Sequence, residues 1–93
     1  MGDLDNLVIN PAIVFREELD DWGILFNPDS DSGFCINPVG VLICKLLNGR
    51  RTFSEIIWEV RQNCEGETDN VEKEVEEFLR NLVLLGFVGK MTD

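Results

Sequence analysis

Apolar residues in the first 36 positions occur in short runs separated by turn-forming residues. Three of these runs are rich in β-branched and aromatic side chains, a composition that favours strands. Acidic residues at 20–21 and a polar stretch at 27–32 supply the turns between them. The pattern predicts a small antiparallel meander whose strands span residues 12–17, 22–26 and 33–36.

The pattern changes from strand to helix at Asn37. An asparagine side chain can cap the free amides of a helix start, and Pro38 at the first helical position sacrifices no hydrogen bond. Gly49 supplies a stop, so we expect the first helix over residues 38–48. Its apolar residues recur at helical spacing and are predicted to face the core: Val39, Leu42, Ile43, Leu46 and Leu47.

A second helix is predicted after Thr52. The hydroxyl of Thr52 and the carboxylate of Glu55 have the spacing of a capping box, in which each side chain satisfies a free amide at the helix start. Gly66 is expected to end this helix. Its buried stripe is predicted to consist of Phe53, Ile56, Ile57, Val60 and Cys64.

The third helix has the same start signal, because Asp69 and Glu72 repeat the capping-box spacing. Gly86 is expected to close it, and residues 87–88 resemble a short final strand or an extended tail. On a helical wheel, four residues point away from the core face: Lys73, Glu77, Arg80 and Leu84. The core face itself is predicted to contain Val71, Val75, Phe78, Leu79 and Leu82.

The succession of strands and then helices argues against alternating β-α-β units. We therefore expect an α+β domain of winged helix-turn-helix type, with three N-terminal β-strands followed by three α-helices. This single domain is predicted to occupy residues 11–90. Residues 1–10 are expected to form a flexible N-terminal arm, and residues 91–93 a short tail.

The charge of the chain conflicts with this nucleic-acid-binding layout. The net charge is −10, and residues 65–77 carry seven acidic side chains against the single base Lys73. A phosphate backbone would be repelled by such a third helix, so neither nucleic acid nor an anionic membrane is an expected partner. A basic peptide or protein surface suits this charge.

The residue types also bear on catalysis and location. The chain has no histidine and three cysteines without C-x-x-C spacing, so we expect no metal site, no cofactor and no catalytic residues. No signal peptide or membrane-spanning run is evident. The interpretation is a cytoplasmic protein that is not an enzyme.

The order of these signals resembles the PqqD-like family, the pyrroloquinoline quinone biosynthesis protein D and related precursor-peptide recognition elements. The matching pieces are a strand at 33–36, then Asn37-Pro38-Val39-Gly40, then Leu47-x-Gly49-x-Arg51-Thr52-x-x-Glu55-Ile56, then Val71-x3-Val75-x2-Phe78-Leu79-x2-Leu82-x3-Gly86-Phe87-Val88. The resemblance implies a non-catalytic domain that binds the leader of a ribosomally made precursor peptide. It also implies a partner enzyme that modifies the peptide, often a radical S-adenosylmethionine (SAM) enzyme.

Strand addition to an exposed sheet edge is a physical route to such binding. We expect the edge strand at 33–37 to be one wall of a peptide groove and one flank of the third helix to be the other. The predicted peptide-binding residues are Gly33, Phe34, Cys35, Ile36, Asn37, Glu74, Glu77, Phe78, Asn81 and Leu85. The opposite flank of the helix, with Glu72, Glu76 and Val83, is the alternative wall.

Two alternatives stay open at this point. A winged-helix adaptor or transcription regulator could share the same scaffold, although its third helix would then have to bind protein. The sheet edge could also pair two copies of the chain, so a monomer or a weak homodimer is compatible with the sequence.

Overall fold

The computed structural model describes residues 4–63 and 70–90. The predicted meander is present and antiparallel. Its strands are β2 Val14–Glu17, β3 Gly23–Asn27 and β4 Ser32–Ile36, which lie side by side in the order β2-β3-β4. The turn between β2 and β3 contains Asp20 and Asp21, both with positive φ. Asn27 caps the turn between β3 and β4 by accepting a hydrogen bond from the Asp29 amide at 2.9 Å.

The three helices are also present, as α1 Pro38–Leu46, α2 Phe53–Asn63 and α3 Val71–Leu84. The Asn37 side chain accepts a hydrogen bond from the Gly40 amide at 2.8 Å, as a cap should. The fold class is therefore the predicted one, α+β with strands followed by three helices.

The capping box of α2 is confirmed. The Thr52 amide donates to Glu55 Oε1 at 2.8 Å, and the Glu55 amide donates to Thr52 Oγ1 at 3.1 Å. The predicted stop at Gly66 and the predicted cap at Asp69 lie outside the described residues, as does Cys64.

Gly86 ends α3 as predicted. Its φ is 83°, a left-handed value that glycine adopts without a steric cost. The Gly86 amide donates to the Val83 carbonyl at 3.1 Å, and the Phe87 amide donates to the Leu82 carbonyl at 3.0 Å. These two bonds satisfy carbonyls that a helix end would otherwise leave free.

The N-terminal segment differs from the prediction. Strand β1, Leu7–Ile9, pairs antiparallel with β5, Val88–Lys90, and Leu4 and Leu7 are only 5% and 2% exposed. The Asp5 carboxylate accepts a hydrogen bond from the first amide of α2, that of Phe53, at 2.7 Å. Residues 4–10 therefore belong to the domain and are not a flexible arm, whereas residues 1–3 and 91–93 lie outside the described residues.

The core lies between the helices and the inner face of the meander. The stripes predicted for α2 and α3 are buried over their described parts, with Phe53 and Phe78 partly exposed. In α1 the phase differs from the prediction, because Val39 is 41% exposed while Val41 is buried. Residues 39–44 are continuously apolar or small, so the spacing did not fix which side faces inward.

Candidate functional site

Strand β4 is an edge of the three-stranded sheet, because it pairs with β3 and ends the strand order. Backbone N–H and C=O groups on the open side of such a strand are available to an added strand. Successive side chains alternate between the two faces of the sheet. Phe34 and Ile36 point inward, whereas Gly33 and Cys35 are exposed on the outer face.

Side chains bridge β4 to the region of α3 at two places. The rings of Phe34 and Phe87 lie 6.2 Å apart between centroids, just beyond the C-terminal end of α3. At the other end of β4, the ring of Phe78 lies against Gly40, and a Cβ built on Gly40 would be 3.1 Å from both Phe78 Cζ and Ile36 Cβ. Phe78 of α3 therefore lies near the C-terminal end of β4, and Phe87, beyond the end of α3, lies near Phe34.

A pocket of about 330 Å³ opens where β4 ends and α1 begins; we call it the groove pocket. Its walls come from the start of α1, the N-terminal half of α3 and one residue of α2. The lining residues are Asn37, Val39, Gly40, Ile43, Val60, Val71, Glu74, Val75 and Phe78. Most are aliphatic, and Glu74 supplies an exposed carboxylate, so the pocket suits an apolar side chain with a nearby positive charge.

The structure distinguishes the two flanks of α3. Glu74 and Phe78 line the groove pocket, whereas Glu72 lines a separate pocket beside Trp58 of α2. Val83, from the same alternative flank, lines a third pocket on the side of Leu4. The flank that contains Glu74 and Phe78 is thus the one that lines the same pocket as Asn37 and the start of α1.

The remaining predicted site residues on the helix lie outside the groove pocket. Glu77 and Asn81 are exposed, and Leu85 is 55% exposed. With helical periodicity, Asn81 and Leu85 continue the row that Glu74 and Phe78 begin. The structure therefore brings Asn37, Glu74 and Phe78 together in the groove pocket, whereas Asn81 and Leu85 lie further along the chain, towards and beyond the C-terminal end of α3.

The groove side of α3 retains a negative charge. On the opposite flank, Glu76 forms an i,i+4 ion pair with Arg80 at 3.0 Å. Glu74 and Glu77 make no ion pair within the described part of the chain. Two carboxylates are therefore available to a cationic group bound beside β4.

Six of the nine residues that line the groove pocket were not among the predicted site residues. Five of the six were assigned to the core, namely Val39, Ile43, Val60, Val71 and Val75, and Gly40 carried no assignment. The sequence signal for Gly40 was its position in the first turn of a helix. Glycine is a poor helix former, and a common reason for a glycine in a helix is the close approach of another side chain. The partner in that approach, Phe78, lies 38 positions along the chain, so spacing could not identify it.

The two described cysteines have opposite environments. Cys35 is exposed on the outer face of β4, and Cys44 is buried in the core. Burial raises the pKa of the Cys44 thiol from 9.0 to about 12, because the thiolate would lose its hydration. Cys44 is therefore an inert apolar group at neutral pH.

Comparison with known proteins places this site in a family. The family model described as coenzyme PQQ synthesis protein D (PqqD) matches residues 23–88, a span that contains both walls of the groove. The chain belongs to the PqqD family. No curated protein matches it.

The PqqD-family fold is also found in a solved structure, "TbiB1 in Complex with the TbiA(beta) Leader Peptide". The TM-score is 0.74 at 24% sequence identity, and the match covers 92% of this chain and 99% of that one. The similarity shows that the two chains share a fold. In the described part of the present chain, no helix is long and apolar enough to cross a membrane.

Proposed function

We propose that this PqqD-family protein is a non-catalytic peptide-binding chaperone. It captures the leader of a ribosomally made precursor peptide by strand addition to β4 and presents it to a modifying enzyme, in our proposal a radical SAM enzyme, in the cytoplasm. The observation that carries the proposal is an open strand edge beside the groove pocket. The leader-peptide complex of TbiB1, which has the same fold, supports it.

Backbone pairing supplies affinity without demanding a particular sequence. A leader strand beside β4 gains about four to six hydrogen bonds, each worth roughly 0.5–1.5 kcal/mol. One apolar side chain in the groove pocket adds roughly 1.5–3 kcal/mol. Because association costs at least about 4 kcal/mol, even the upper ends of these ranges leave a dissociation constant no tighter than on the order of micromolar, which suits a carrier that must also release its cargo.

The acidic side chains of α3 determine a second feature of the leader, a positive charge. Glu74 lines the groove pocket, and Glu77 lies one turn further along α3. A lysine or arginine near the anchoring apolar residue of the leader would satisfy these carboxylates. The same carboxylates disfavour DNA binding by α3, so the transcription-regulator alternative is the weaker one.

The first experiment maps binding on the protein. Synthetic peptides that tile the short open reading frames flanking its gene are titrated into the ¹⁵N-labelled chain, and amide shifts are followed by NMR. The proposal expects the largest shifts in β4, at Asn37 and along the Glu74–Phe78 flank of α3. Absence of binding by every peptide, or shifts confined to α2, would overturn it.

The second experiment tests the charge of the site with a matched control. Glu74→Lys combined with Glu77→Lys is expected to weaken leader affinity by at least about fivefold, because two attractions become repulsions. The matched comparison is between two single variants with the same change of charge, Glu74→Lys in the groove pocket and Glu72→Lys in the pocket beside Trp58. Glu72→Lys is expected to change affinity less than twofold (~0.4 kcal/mol). Equal effects of the two variants would contradict the assigned flank.

A further inference from the structure

A second pocket of about 330 Å³ lies between the β2–β3 turn and α1; we call it the turn pocket. Its floor includes Val39 and Leu42, and its rim includes Glu17, Asp21 and Lys45. Val39 also lines the groove pocket and is 41% exposed. The two pockets therefore share one exposed valine as a lining residue.

We propose that the leader peptide continues past the Asn37 end of β4, crosses Val39 and places a second anchoring segment in the turn pocket. This inference rests on the proposed function and extends its site. The segment contributes an apolar side chain against Val39 and Leu42, and a lysine or arginine beside Asp21. The leader is thus read at two places instead of one.

The backbone of the protein explains why recognition changes at this point. The strand ladder can extend only to the end of β4, because α1 begins at Pro38. Proline has no amide hydrogen, and the other free amides at a helix start point along the helix axis or donate to the capping side chain. Beyond Asn37 the peptide is therefore held by side chains, so this part of the leader is the sequence-specific part.

The charges of the turn pocket select a cationic residue. Lys45 is already neutralised by Glu17, whose carboxylate lies 3.0 Å from its ammonium group. Asp21 is exposed and makes no ion pair within the described part of the chain. A lysine or arginine of the leader is the complement of this remaining charge.

The chain offers a closely matched pair of variants. Asp20 and Asp21 are neighbours, both are exposed, and their φ values are 61° and 67°. Asparagine tolerates this left-handed region, so Asp21→Asn and Asp20→Asn change the net charge equally without adding backbone strain. Only Asp21 lines the turn pocket.

The test measures the affinity of both variants for two synthetic peptides, the full leader and a trimmed leader. The leader is shortened from each end in turn, and the trimmed peptide is the one that no longer causes the NMR shift of Val39. Asp21→Asn is expected to weaken binding of the full leader by about twofold to fivefold, and Asp20→Asn to leave it unchanged. The trimmed peptide should bind both variants equally, because it no longer reaches the turn pocket.

The outcomes separate this inference from the proposed function. Shifts in β4 and α3 together with equal affinities of the two variants for the full leader would overturn the second anchor and leave strand addition intact. The second anchor would also be overturned if trimming the leader from either end left the NMR shifts of Val39 and Leu42 unchanged. Absence of shifts in β4 with every peptide would overturn both.

Discussion

Replacement of Gly40 by alanine tests the close packing that forms the groove pocket. The new Cβ would lie 3.1 Å from Ile36 Cβ, 3.1 Å from Phe78 Cζ and 3.3 Å from Phe78 Cε1. Carbon atoms in favourable contact are about 3.5–4.0 Å apart. Ile36 is 2% exposed and its Cβ is attached directly to the backbone, so the ring of Phe78 is the group that must move.

Two opposing effects determine the magnitude. Alanine is a better helix former than glycine by about 1 kcal/mol at most, and less in a first turn. An additional methyl group in a tightly packed region costs typically 1–3 kcal/mol. We therefore expect Gly40→Ala to lower the free energy of unfolding by about 1 kcal/mol. The displaced ring would also enter the groove pocket, so leader affinity should fall.

The assay is a double-mutant cycle. Phe78→Leu removes the distal ring atoms, and with them two of the three short contacts, so Gly40→Ala should cost less in this background. Urea unfolding followed by circular dichroism gives the four free energies, provided that the denaturant slopes agree. We expect a coupling energy of about 0.5–1 kcal/mol between the two sites.

The result that would refute this reasoning is an equal cost of Gly40→Ala in both backgrounds. The strain would then come from Ile36 or the backbone, and Phe78 would not rest on Gly40. A stabilising effect of Gly40→Ala with Phe78 present would refute it as well, because helix propensity would then outweigh the contact.

Three other features of the structure, a helix cap, a close backbone approach and a buried thiol, give predictions that urea unfolding can check. Asp5→Ala removes the acceptor for the Phe53 amide and should cost about 1 kcal/mol, whereas Asp5→Asn should cost less; equal losses would argue against a cap. Gly23→Ala would place a methyl carbon 3.0 Å from the Arg16 carbonyl oxygen and should cost about 1–3 kcal/mol, so unchanged stability would contradict the packing. Burial raises the pKa of the Cys44 thiol from 9.0 to about 12, so the stability that the protonated thiol contributes is complete below pH 9 and is lost as the pH rises to about 12. The free energy of unfolding should fall there by about 1.4 kcal/mol per pH unit. Cys44→Ala should lack this slope, and an unchanged slope would refute the raised pKa of Cys44.

Local signals in the sequence predicted most of the secondary structure. The Asn37 cap, the Thr52–Glu55 box and the Gly86 stop each depend on residues within five positions of one another, so their hydrogen bonds could be anticipated from spacing alone. Alternation and turn residues likewise predicted the three strands of the meander. These features follow from backbone groups that must find partners nearby.

The sequence by itself thus determined the succession of the three meander strands and three helices, the starts of α1 and α2, the end of α3 and the acidic character of α3. Tertiary structure alone decided that β1 pairs with β5, that Val39 faces outward, and that Phe78 rests on Gly40 beside the open edge of β4. Each of these depends on contacts between distant parts of the chain. Periodicity fixes which residues share a face, but only packing fixes what that face meets.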